Sequence, residues 1–134
     1  MPEHHHTISD WMTRQPHTIG YDQPLALARA RMNEHGIRHL PVLRGGHLTG
    51  IVTSRDIAIV ESLPGVTLDD LAVEEAMTEG PWTVAPEVSL TWAAQIMAER
   101  RLGAAIVVAG EGSDEVVGVL TTTDALRALA KLAV

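Results

Sequence analysis

Cysteine is absent from the 134 residues. That excludes disulfides, thiolate metal sites and cysteine nucleophiles, and it is compatible with a reducing compartment. Positive charge is scarce: ten Lys+Arg stand against seventeen Asp+Glu, a formal net charge of −7. Neither a nucleic-acid backbone nor an anionic membrane surface is therefore expected as the main partner, although a local basic pocket fits the balance. No window approaches the ~20 consecutive apolar residues of a membrane helix, and the opening MPEHHHTISD has no basic segment followed by an apolar run. A soluble, cytoplasmic protein is the expectation. G-x-S-x-G, Walker A, G-x-G-x-x-G and H-E-x-x-H strings are also missing, so the chemistries tied to them have no foothold. These absences favour a protein with no catalytic residues and no required cofactor. Consecutive His4-His5-His6 cannot converge on a metal without partners, and His17, His35, His39 and His47 fall in different elements, so no metal site is expected. Asp69-Asp70 and Glu74-Glu75 read as solvated charge.

What the chain does have is a second copy of itself. Ser9-Asp-Trp-Met-Thr13 is answered by Glu74-Glu-Ala-Met-Thr78, and one constant offset carries Met12 to Met77, Thr18 to Thr83, Leu25 to Leu90 and Met32 to Met97. Gly50-Ile-Val-Thr-Ser-Arg-Asp56 then returns as Gly118-Val-Leu-Thr-Thr-Thr-Asp124, at a slightly longer offset because the turn after Ala109 exceeds the one after Arg44. Self-similarity on this scale governs the fold. The apolar total of 46% suffices for a core, but a copy of about sixty residues buries too little surface alone.

Each copy reads as strand, helix, strand, strand, helix. Thr18-Ile19 and Thr83-Val84 are short β-prone pieces, followed by helical spacing at Leu25, Ala28, Met32 and at Leu90, Ala93, Met97. Aliphatic runs flank glycine turns (Leu40–Leu43 with Leu48–Val52, and Ala104–Val108 with Val116–Leu120) and predict hairpins. A second helix follows near Asp56 and near Asp124. Thr67-Leu-Asp-Asp70 predicts a connecting helix capped by Thr67. The expected fold is α/β (α+β): two pseudo-twofold-related β-α-β-β-α repeats packed sheet to sheet, with two clefts where they meet. The expected boundaries are a tail (1–7), a first repeat (8–63), a linker (64–72) and a second repeat (73–134).

Thr53-x-x-Asp56 and Thr121-x-x-Asp124 each have the form of a helix cap with an acidic third position, and alone they would carry no function. Their recurrence behind a glycine, at the same strand-to-helix junction, raises a second reading. A helix start offers N–H groups to an anion, and a carboxylate accepts from sugar hydroxyls, which suits a ribose and its phosphate.

With Asp10-Trp-Met-Thr13, Glu75-Ala-Met-Thr78 and Gly36-Ile-Arg-His-Leu-Pro-Val42, these strings make nearly the whole chain resemble a tandem pair of cystathionine-β-synthase (CBS) domains, a Bateman module. The resemblance implies a regulatory module that takes an adenosyl ligand (AMP, ADP, ATP or S-adenosylmethionine) in clefts between the repeats. Carried over, it places Asp56 and Asp124 on ribose hydroxyls and Thr53, Thr121 and Thr123 near phosphate. Thr18, Ile19, Leu40, Pro41, Thr83 and Val84 would lie around the adenine. The copies differ. Thr123 makes the second copy the fuller ribose-phosphate pattern. Arg38-His39 and Arg55 in the first could reach phosphate, whereas Gly103-Ala104 in the second carry no charge, so one cleft is expected to fill first. Arg55 could equally block its cleft, and Arg38 could be a solvated charge ending a helix.

The helix from Leu90 is apolar on more than one face, Trp92 included, and an exposed patch of this kind marks a partner surface. Related modules pair through these helices, so a homodimer with Trp92 and Leu27 at its interface is expected; Arg29 and Arg31 read as outward charges. Two classes remain: a ligand sensor acting on an unidentified separate protein, or an interaction and dimerisation module with vestigial clefts.

Overall fold

The computed structural model describes residues 6–132. In chain order the elements are α1 (Ile8–Trp11), β1 (Thr13–Arg14), β2 (Ile19–Gly20), α2 (Leu25–His35), β3 (His39–Arg44), β4 (His47–Thr53), α3 (Ser54–Glu61), β5 (Thr78–Glu79), β6 (Thr83–Val84), α4 (Leu90–Arg100), β7 (Ala104–Val108), β8 (Val116–Thr121) and α5 (Thr122–Leu132). The predicted strand–helix–strand–strand–helix order is present twice in this mixed α+β chain. Thr67-Leu-Asp-Asp70 is not a connecting helix. It closes as a single 3₁₀ turn at Leu68–Asp70, and the Thr67 hydroxyl donates to the Asp70 carboxylate at 2.5 Å instead of capping backbone N–H groups.

Two four-stranded sheets form, with strand orders β2-β3-β4-β5 and β1-β8-β7-β6. In each, an antiparallel hairpin is flanked by a short parallel strand on one side and a short antiparallel strand on the other. The antiparallel flank comes from the opposite copy. β5, from the opening of the second repeat, pairs with β4 of the first (Gly50↔Glu79, Ile51↔Thr78), and β1 pairs with β8 (Thr13↔Val119, Arg14↔Gly118). The compact units are therefore His17–Pro81 and, for the other, the chain up to Pro16 joined with the chain from Trp82 onward. The sequence repeats 8–63 and 73–134 are cut differently, because each repeat's opening is exchanged.

This exchange accounts for the doubled glycine. A Cβ on Gly50 would lie 2.7 Å from Met77 Sδ and 2.8 Å from the Thr78 carbonyl oxygen; one on Gly118 would lie 2.6 Å from Met12 Sδ and 3.0 Å from the Thr13 oxygen. Each glycine makes room for the Met-Thr of the exchanged opening, so the repeated Gly and the repeated Met-Thr are two halves of one contact.

Each unit has its own core. Ile19, Leu25, Ala28, Met32, Leu40, Val42, Val52, Ile57 and Val73 fill one; Ile8, Val84, Leu90, Ala93, Met97, Ala105, Val107, Leu120 and Ala128 fill the other. The helical positions read from spacing are the buried ones. Ile8 and Val73 are fully buried residues of the exchanged openings, each worth about 1.5–3 kcal/mol of apolar transfer. Helix α2 ends on Gly36 (φ 63°), whose left-handed conformation lets its N–H and that of Ile37 close onto Met32 O. Its counterpart, Arg101 (φ 56°), ends α4 in the same conformation without glycine's freedom.

Candidate functional site

At both strand-to-helix junctions the threonine and aspartate bind one another. Thr53 Oγ1 accepts from the Asp56 N–H (3.1 Å), and Asp56 Oδ2 accepts from the Thr53 N–H (3.0 Å). At the second junction Thr121 Oγ1 accepts from the Asp124 N–H (3.1 Å), while Asp124 Oδ2 accepts from the Thr121 N–H (2.9 Å) and hydroxyl (3.0 Å). The capping reading is therefore correct as structure, and these reciprocal bonds hold each carboxylate at the start of its helix. What the caps leave over differs between the two. Asp124 is 4% exposed, and its Oδ1 is taken by Arg127 Nη1 at 3.2 Å. Asp56 is half-buried, and among the described residues its Oδ1 has no hydrogen-bond donor.

The hairpin register brings several of the implied residues together in the His17–Pro81 unit. His39 lies opposite Thr53 and Leu40 opposite Val52, and the Ser54 N–H donates to Arg38 O at 2.9 Å. Arg38 and Arg55 are exposed and His39 is half-buried. Burial holds the His39 imidazole below its ordinary value, the Arg38 cation adds to this, and the Asp56 carboxylate opposes it. In the other unit Ala104 lies opposite Thr121, and both the N–H and the hydroxyl of Thr122 donate to Gly103 O (3.0 and 3.2 Å). Thr122 is tied back to the hairpin, and Thr123 is exposed.

Thr18 and Thr83 stand at the starts of the edge strands. Tyr21 N–H donates to Leu43 O and Ile19 pairs with Val42, so the odd-numbered residues of β2 face β3 and the Thr18 carbonyl faces away from it. Ile106 N–H donates to Trp82 O, which turns the Thr83 carbonyl away from β7 in the same manner. The side chains of Ile19, Leu40 and Val84 belong to the cores and Pro41 is buried. At these positions the backbone, rather than the apolar side chain, is what a ligand would meet.

Arginines read as outward from sequence are engaged. Arg29 bridges Glu61 at 3.0 Å, and Arg31 Nη1 donates to the outward Thr18 carbonyl at 2.6 Å. Arg31 and Arg127 are not legible as site residues, since each is a helix-surface arginine by spacing and its partner is set by tertiary structure. Trp92 is 46% exposed, tilted against Trp82 with ring centroids 5.8 Å apart; Leu27 is half-buried against its own core. His4 and His5 lie outside the described residues. Among those described, no group of three or more His, Asp or Glu side chains is placed to hold a metal, and no helix is long and apolar enough to cross a membrane.

A sequence profile of the CBS domain matches residues 8–62 and again 73–131. The chain belongs to the CBS domain family. Among similar proteins, this CBS pair is 37% identical over 107 residues to an inosine-5'-monophosphate dehydrogenase of Korarchaeum cryptofilum, covering 80% of this chain and 21% of that enzyme. It is 40% identical over 117 residues to a homoserine O-acetyltransferase of Methanocorpusculum labreanum, covering 87% of this chain and 23% of that enzyme. The chain thus spans under a quarter of the length of either. Among solved structures, the CBS domain pair of protein MJ0100 in complex with 5'-methylthioadenosine and S-adenosyl-L-methionine superposes with a TM-score of 0.81 at 25% identity, covering 94% of this chain and 97% of that one.

Proposed function

We propose that this CBS pair is a non-catalytic regulatory module that binds an adenosyl ligand (AMP, ADP, ATP or S-adenosylmethionine) and passes its occupancy to a separate protein. The observation that carries the reading is the doubled arrangement of an outward edge-strand carbonyl and a carboxylate fixed at a helix start: Thr18 with Asp56 in one unit, Thr83 with Asp124 in the other. A carbonyl so placed is an acceptor for a base amino group, at Thr83 with no side-chain donor on it among the described residues and at Thr18 already engaged by Arg31, and the carboxylate is an acceptor for ribose hydroxyls. The adenosyl ligands of the MJ0100 pair support it. Arg38, His39 and Arg55 lie close to the start of α3 along the backbone and would supply the donors a phosphate needs, alongside Thr53; Thr121 and Thr123 would do so at α5. Calorimetric titration with AMP, ADP, ATP and S-adenosylmethionine tests the proposal. Saturable binding weakened by substitution of an aspartate supports it, and no heat with any of the four at millimolar concentration refutes it.

A second reading, an interaction module without a ligand, is favoured by the caps, since both aspartates already hold their helix starts together. The same titration separates the two. For the assembly we propose a homodimer that covers Trp92, with Leu27 at the interface margin. A monomer at high micromolar concentration by light scattering counts against it.

A further inference from the structure

Each unit holds one of its two recognition groups and leaves the other open. In the His17–Pro81 unit the base-side group is the held one: Thr18 O receives the Arg31 guanidinium at 2.6 Å. This is a short, charge-assisted bond, and it presents a fixed cation where a base amino group would have to approach. The ribose-side group of that unit is open, since Asp56 Oδ1 has no donor among the described residues. The other unit is the reverse. Ile96 occupies the position equivalent to Arg31, and among the described residues no side chain donates to Thr83 O. Its carboxylate is the held group, with Asp124 buried and Oδ1 on Arg127.

Arg31 is held in place by more than its own bond. His35, one turn further along α2, stacks on His17 with ring centroids 3.6 Å apart and planes 13° apart. Two successive residues, His17 and Thr18, are thus fastened to one face of α2. Displacing Arg31 from Thr18 would strip a partly buried cation of its acceptor, the expensive way to lose a hydrogen bond.

We infer that the His17–Pro81 unit holds a nucleotide by its ribose and phosphate, through Asp56 and the cations Arg38 and Arg55, and that Arg31 is the specificity determinant that keeps this unit from reading the base amino group. The inference rests on the proposed adenosyl-binding function and adds which groups of the ligand are recognised there. A site that spends its acceptor on its own arginine gains nothing from an amino group, whereas a site with a free acceptor rejects an analogue that lacks the donor. It also puts weight on the first copy, although Thr123 makes the second the fuller ribose-phosphate pattern.

The test compares AMP with IMP, which carries a ring carbonyl where AMP carries the amino group, by calorimetry on the full chain. Asp124→Asn is used as the background, so that the heat of the His17–Pro81 unit is read alone. There IMP should bind at least as tightly as AMP, because the Arg31 cation faces the amino group of the one and the ring carbonyl of the other, and adding Asp56→Asn should weaken both at least tenfold. Adding Arg31→Ile instead should free Thr18 O and favour AMP over IMP at least tenfold. If Arg31→Ile unfolds the chain, as a circular-dichroism melt would show, Arg31→Met keeps the aliphatic stem and serves in its place. A strong AMP preference with Arg31 present, or a ratio that replacement of Arg31 leaves unchanged, would overturn the inference and leave the adenosyl function standing. So would loss of all AMP binding in Asp124→Asn when the wild type binds it. Absence of wild-type binding to AMP, ADP, ATP and S-adenosylmethionine alike removes both.

Discussion

Alanine at Gly50 isolates the contact between a hairpin and the exchanged opening that crosses it. Gly50 is not among the residues with positive φ, so alanine suits the backbone. Removing a strand glycine should by itself stabilise the chain by about 0.5–1 kcal/mol through lost unfolded-state freedom. Against this stands the new methyl group, 2.7 Å from Met77 Sδ and 2.8 Å from the Thr78 carbonyl. The sulfur can rotate away. The carbonyl belongs to the strand paired with β4 through Gly50↔Glu79 and Ile51↔Thr78, and it moves only if β5 is levered off the sheet edge. Overpacking of this kind costs ~1–3 kcal/mol, so the net expectation is a loss of about 1–2 kcal/mol, or roughly 3–8 °C in Tm for a chain of this size.

Urea unfolding followed by circular dichroism reads the change. Gly118→Ala should cost less, because its nearest backbone atom, Thr13 O, is at 3.0 Å. Met77→Ala placed on Gly50→Ala should recover part of the loss and not all of it, the remainder being the carbonyl. An unchanged or raised midpoint for Gly50→Ala would refute the reasoning, and complete rescue by Met77→Ala would show that the sulfur alone was in the way.

Arg101→Gly should stabilise the chain by about 0.5–1 kcal/mol by relieving a left-handed non-glycine helix end, and Gly36→Ala should cost a similar amount, both read as denaturant midpoints. Thr53→Ala should lose about 1 kcal/mol with the hydroxyl that accepts from Asp56 N–H, while Thr53→Ser should retain most of it. Because folding lowers the His39 pKa from its ordinary value of 6.5, the unfolded chain takes up that proton first; the stability this group permits at neutral pH is lost as pH falls through and below about 6.5. His39→Gln should flatten that part of a stability-versus-pH curve, and an unchanged slope would count against the assignment.

The repeat, the helix spacing and the hairpins are legible in the sequence because each rests on a period or on glycine turns close at hand. The turn at Gly45-Gly46, both at positive φ, is such a local signal. The exchange is not legible. β1 and β5 are too short to carry a period, and the strands they pair with lie in distant parts of the chain. The glycine of each G-h-x-T-x-x-D string is visible, but its reason lies in a methionine of the other copy. The site divides in the same way. Thr-x-x-Asp announces its own cap, because both members lie within one turn of chain. That Arg31 reaches back to Thr18 depends on how α2 lies along β2, which spacing along the helix does not specify.

The exchange also bears on how occupancy could be felt elsewhere in the chain. The backbone leaves one unit after Pro16 and enters the next at His17; it crosses back between Pro81 and Trp82. Asp56 stands in the first turn of α3, which follows β4 directly, and β4 is the strand on which β5 is seated by Met77 against Gly50. β5 in turn is the last strand before the crossing at Pro81. A ligand that fixes Asp56 therefore restrains the end of a strand whose edge partner leads out of the unit. Because a ligand shifts an equilibrium only by its differential affinity for two states, the ordering of β5 against β4 is the element to follow. If occupancy travels along this route, amide exchange at Thr78 and Glu79 should slow when AMP binds, and it should fail to slow in Gly50→Ala even where binding persists. Equal protection in both proteins would place the coupling elsewhere.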